Sequence, residues 1–97
     1  MYYIVQVDYC TDTFGCENFT EVENILKIAT LKWTQSEFWK SNQTAEELYI
    51  ECMKEKDFGD IAQVYEIDCF FMVGDHKVPC GLYETDYNKP MTITKIM

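Results

Sequence analysis

Apolar residues in this chain change their spacing twice, and those changes restrict the fold more than any other feature. Over residues 2–9, YYIVQVDY, Tyr3, Val5, Val7 and Tyr9 alternate with Tyr2, Ile4, Gln6 and Asp8. A period of two is that of a strand with one buried face, so the odd-numbered side is expected to face the core. From Thr20 the period lengthens. Val22, Ile25, Leu26, Ala29 and Trp33 recur at helical spacing, with Glu23, Lys27 and Thr30 on the other side. Thr20 followed by Glu23 reads as a capping box at the helix start. Thr44 and Glu47 form a second box, and Ala45, Leu48, Tyr49, Cys52 and Met53 make the stripe of a second helix. Lys54 and Lys56 suit the negative end of its dipole, and Gly59 is its expected C-terminal cap.

At Ala62 the period returns to two. Tyr65, Ile67, Cys69, Phe71 and Val73 share one face; Val64, Glu66, Asp68, Phe70 and Met72 share the other, taken as the outer one. Gly74-Asp75 signals a hairpin. A strand is expected near Lys77 to Tyr83, at an edge or bulged because Pro79 donates no ladder bond. Asp86 to Pro90 reads as a turn, and Met91 to Met97 as a last strand. Residues 10–19 read as a loop, and residues 31–43 as either a short helical turn or an exposed aromatic surface. The resulting order is β-α-α-β-β-β. A chain of 97 residues has room for one core. The expectation is therefore an α+β fold, a single domain over residues 1–97, with a mainly antiparallel sheet and two helices on one face.

Charge restricts function. There are 17 acidic residues against 8 basic ones, giving −9, and all eight bases are lysines. Without arginine, bidentate grips on phosphate and carboxylate are not available. A direct nucleic-acid binder is disfavoured, since such binding is driven by cationic side chains. An anionic membrane surface would repel the chain. No run approaches the roughly 18 apolar residues of a membrane span. Residues 2–7 are too short, and lack a preceding base, for a signal-peptide core. These features lead to the expectation of a cytoplasmic protein. The sequons Asn18-Phe19-Thr20 and Asn42-Gln43-Thr44 serve better as helix-start elements than as glycosylation sites.

The charge is also uneven. Residues 46–68 hold eight acids and two lysines, so −6 of the −9 falls in less than a quarter of the chain. Glu47, Glu51 and Glu55 follow at i, i+4 and i+8, about 6 Å apart along one side of the second helix. Asp57 and Asp60 extend the group past the helix end, with Glu66 and Asp68 as further members from the outer sheet face. An acidic stripe of this kind either keeps a small domain soluble or occupies a basic surface on a protein partner in place of a phosphate backbone. Phe38 and Trp39, and also Tyr87, are candidates for the apolar anchors of such a contact.

Other chemistry is weaker. Cys10-x5-Cys16 with His76-x3-Cys80 is the best zinc candidate, but the gap in the first pair exceeds the usual ligand spacing and neither pair is a CxxC knuckle. His76 with Asp75 and Cys80 is a poor nucleophilic arrangement, because neighbours on a strand point to opposite faces. Glu66 and Asp68 share a strand face without a pocket to act in. There is no calcium loop, phosphate loop or nucleophile elbow. No cofactor is expected, and five cysteines do not close a disulfide framework.

The expectation is a non-enzymatic acidic binding protein that occludes a basic, nucleic-acid-binding surface of a partner. Small acidic single domains without a catalytic motif are frequent among phage-encoded inhibitors of host defence and nucleic-acid enzymes, so an anti-CRISPR-like, DNA-mimicking viral inhibitor is its most specific form. The alternatives are a regulatory module binding through an aromatic surface centred on Phe38 and Trp39, or a small zinc domain. A homodimer through an open sheet edge is compatible with each.

Overall fold

The computed structural model describes residues 2–7, 12–67, 70–73, 76–79 and 93–97, and for 70–73 and 76–79 the backbone alone. Its elements are β1 (Tyr2–Val7), β2 (Asp12–Cys16), α1 (Phe19–Thr34), α2 (Ala45–Glu55), β3 (Ala62–Ile67), β4 (Phe70–Val73), β5 (His76–Pro79) and β6 (Ile93–Lys95). The α+β class, the antiparallel pairing and the succession strand, two helices, strands are as expected. One strand is added, because residues 12–16 are not a loop. They pair antiparallel with β1, Tyr3 opposite Cys16 and Val7 opposite Asp12. Thr, Asp and Gly15 look like loop chemistry, but Phe14 and Cys16 carry a period of two, and β1 supplies the ladder bonds.

The main sheet has the order β2-β1-β3-β6, and β4 and β5 form a separate two-stranded sheet. The run 62–73 thus divides between two sheets instead of forming one strand. Val73 opposes His76, which is the spacing of a hairpin around residues 74–75, and Pro79 sits at the end of its ladder opposite Phe70. The turn residues themselves, like the segment 80–92 read as strand end and turn, lie outside the described residues.

In β1 the expected face is the buried one. Val5 and Val64 oppose each other and join Cys16, Val22, Leu26, Cys52 and Phe58 in the core beneath the helices. The faces of β3 are the reverse of the expectation. Ala62, Val64 and Glu66 share the helix side with Val5 and Tyr3, while Tyr65 and Ile67 turn away with Ile4. Register decides this: directly opposed residues in an antiparallel pair point the same way. Ile4 and Ile67 are nevertheless buried. The sheet centre is therefore covered on both faces, and alternation alone could not choose between two apolar sides.

The helices start and stop on local chemistry. Asn18, not Thr20, caps α1, its Oδ1 accepting from the Glu21 N–H at 3.0 Å, while Glu21 Oε2 accepts from the Glu17 N–H at 2.7 Å. The cap lies two residues before the expected box, and Glu21 reaches past Asn18 to the N–H of Glu17 rather than closing a reciprocal box. Thr30, read as an outward residue, is fully buried, and its hydroxyl donates to the Leu26 carbonyl at 2.7 Å. The Thr44–Glu47 box of α2 is present as expected. Its C-cap is Lys56, in the left-handed region at φ 54°, rather than Gly59, whose own positive φ serves the following turn. α1 packs on β1 and α2 packs on α1. After α2, Phe58 fills the core and stacks obliquely on Tyr49 with ring centroids 6.0 Å apart. Met97 closes the far side, with backbone bonds linking Val64 to Ile96 and Met97.

Candidate functional site

Two surfaces lie on opposite sides of α1. On one flank α2 carries the acids. Glu47, Glu51, Glu55, Asp57 and Asp60 are all exposed; the three glutamates run along the border of the stripe that turns Leu48 and Cys52 inward, and the two aspartates follow the helix end. They are not equivalent. Glu47 Oε1 accepts from the Thr44 N–H at 3.3 Å and the Thr44 hydroxyl at 2.9 Å, so it holds the helix start. Glu51 Oε2 accepts from the Gln43 side-chain amide at 2.6 Å, tying the preceding segment to the helix. Asp57 Oδ1 accepts from the Gly59 N–H at 2.8 Å and shapes the turn after it. Among the described residues Glu55 and Asp60 make no such bond.

A nearby group registers that field. Burial pushes the Cys52 thiol above its ordinary pKa, and Glu51, Glu55 and Asp57 push it further. Tyr49, between the helices, behaves likewise: burial raises its hydroxyl first and Glu23 second. The Lys27 ammonium sits 5.5 Å from the Tyr49 ring centroid, while the hydroxyl itself is buried with no hydrogen-bond partner among the described residues. Glu66 does not extend the acidic edge from an outer sheet face, since β3 turns it to the helix side beside Tyr3. Asp68 lies outside the described residues.

The other flank of α1 is apolar. A groove of about 280 Å³ runs between α1 and the sheet edge, floored by Val7 and Ile25 and walled by Phe14, Ile28, Trp33 and Phe38. Phe38 is 70% exposed and stacks on Trp33, with centroids 6.3 Å apart and planes 22° from parallel. Trp39 goes the other way. It packs against the core, half-buried, and its indole N–H donates to the Gln43 carbonyl at 3.3 Å. The expected Phe38–Trp39 surface is therefore a Phe38–Trp33 surface, because residues 35–38 turn after α1 and separate the two neighbours. Ile28 and Leu31 also stay exposed. The signal for them was present: both lie outside the buried arc of α1, where a helix needs no apolar residue.

The cysteine and histidine set finds no assembled site. The Cys16 side chain is buried in the core under α1. Cys10, Cys80 and Tyr87, with the side chain of His76, are outside the described residues. Among the described residues no group of three or more His, Cys, Asp or Glu side chains converges to hold a metal. Among them, too, no helix is long and apolar enough to cross a membrane. In comparisons with known proteins, no family model, no curated protein and no solved structure matches the chain.

Proposed function

We propose that this chain is a non-enzymatic binding protein that occludes a basic surface of a protein partner with the exposed edge of α2. The observation that carries the reading is the exposure of Glu47, Glu51, Glu55, Asp57 and Asp60 along one helix and the turn after it, within a segment that holds two thirds of the net charge. A row of carboxylates on a rigid helix presents fixed charge to a cationic groove, steers association, and weakens as salt screens it. In its most specific form the partner is a nucleic-acid-processing or defence complex, the chain standing in for a phosphate backbone as phage inhibitors do.

The test is capture of partners by the tagged chain from a lysate, eluted in parallel with a salt step and with competing duplex DNA. Release of a nucleic-acid-binding protein by both supports the reading. The decisive variant is Glu51→Lys with Glu55→Lys, which leaves the Thr44–Glu47 box intact. Unchanged capture by that folded variant overturns the acidic mechanism.

A second reading is favoured by one observation, the exposure of Phe38 over an apolar groove. It is an interaction module that works through that groove. High salt strengthens apolar contact or leaves it unchanged, opposite to its effect on the acidic edge.

A further inference from the structure

We infer that the apolar groove between α1 and β2 is the interface of a symmetric homodimer, with a second copy of this chain as its occupant. The inference is independent of the acidic reading and names the occupant in the apolar one. Three observations carry it.

The first is size. Phe38, Ile28, Leu31 and Phe14 are 70%, 56%, 48% and 42% exposed, and three of the four line the groove. At roughly 150–250 Å² for a large side chain, they present on the order of 400 Å² of apolar surface, the range in which a patch on a monomer is functional. Within a polar rim that is the core of an interface of about 800 Å² per partner. Nothing in the fold asks for Ile28 or Leu31 to be apolar.

The second is charge. The groove is lined by one acid and one base, Asp12 at the start of β2 and Lys32 in the last turn of α1. Among the described residues neither has an ion-pair partner. A two-fold axis through an interface brings residue i of one copy to residue j of the other, and j to i. An axis that sets Asp12 against the second copy's Lys32 also sets Lys32 against its Asp12, so opposite charges on one apolar groove can supply two reciprocal pairs from a single match. A wholly basic or wholly acidic occupant would match only one of them.

The third is the placement of the net charge. A chain at −9 repels its own copies, but the repulsion comes from elsewhere. Residues 25–44, which form most of the groove wall and the turn beyond it, hold three lysines and one acid. This flank of α1 can meet itself while α2 stays outside. The dimer would then display two acidic edges at a fixed separation.

The experiment is sedimentation equilibrium of the full chain over a range of concentrations. Reversible dimerisation is expected. Phe38→Asp should weaken it at least tenfold, and Ile28→Lys should do the same without touching the Trp33 stack, with circular dichroism checking that both remain folded. Charge swaps give the sharper result. Asp12→Lys and Lys32→Asp, each alone, set like charges face to face and should sediment as monomers. Mixed in equal amounts they restore both pairs and should dimerise with each other. A wild-type monomer at all concentrations overturns the inference. A dimer that ignores Phe38→Asp and Ile28→Lys, or charge variants that do not recover on mixing, also overturns it. The apolar reading fails separately, when Phe38→Asp captures every partner that the wild type captures.

Discussion

α1 and α2 both begin with a side-chain cap that accepts from the backbone N–H of a glutamate three residues on, and both bury an apolar stripe in one core. Their outward sides differ. α2 turns carboxylates to solvent, with a single exposed isoleucine, Ile50, among them. α1 turns Ile28 and Leu31 to solvent beside a groove. The inward stripe of α1 is dictated by the need to cover the sheet and that of α2 by its packing on α1, so they carry no information beyond the fold. The outward sides are free of that need. What they display is where this chain differs from any other small α+β domain, and the two helices display opposite chemistries.

Phe58 is buried beneath both helices, so Phe58→Ala should cost about 3–5 kcal/mol in denaturant unfolding and loosen both surfaces together. Within α1 the contrast sharpens. Leu26→Ala should cost about 2–5 kcal/mol, whereas Ile28→Ser, two residues on, should stay within about 0.5 kcal/mol. A large loss at Ile28 would make the outward side of α1 part of the core. Within α2, Thr44→Ala removes the cap and should cost about 1 kcal/mol, visible as a lower unfolding midpoint at unchanged slope.

The smallest effect concerns pH. Cys52 has its folded pKa raised, so the folded state holds the proton more tightly than the unfolded chain. Its contribution to stability is complete below the ordinary thiol value. It is lost as pH rises from there through the folded value. Glu51→Gln with Glu55→Gln removes two of the charges behind the shift and should move the onset of Cys52 alkylation to lower pH. An unmoved onset would leave burial and Asp57 as the causes.

Much of the fold was legible in the residues. The two helix stripes, the Thr44–Glu47 box, the period of two in β1 and the hairpin spacing around residues 74–75 all follow from short-range patterns. What was not legible depended on distant partners. The faces of β3 are set by its register with β1, and Tyr65, Ile67, Val64 and Ala62 are apolar enough to suit either choice. β2 becomes a strand only because β1 offers it a ladder. The acidic edge was legible as a row of glutamates, since the i, i+4, i+8 spacing alone places Glu47, Glu51 and Glu55 along one side of α2, at the border of the stripe that buries Leu48 and Cys52. The groove was not, because it is made of Phe14 and Ile28 from separate elements, and Trp33 and Phe38 meet only through the turn at 35–38.

The pairing at the sheet centre also has a consequence in time. β1 joins β3 through Val7 with Ala62 and Tyr2 with Ile67, partners separated by most of the chain. Closing so long a loop is entropically slow, and it precedes any reward from the ladder. During synthesis, residues 2–7 emerge well before residues 62–67 and wait for them, while α1 and α2 gain structure locally in between. Until β3 arrives, YYIVQV offers β2 only one of its two edges, and the other stays open to pairing with a different nascent chain. Refolding yield should therefore fall with protein concentration more steeply than the stability of the finished molecule would suggest.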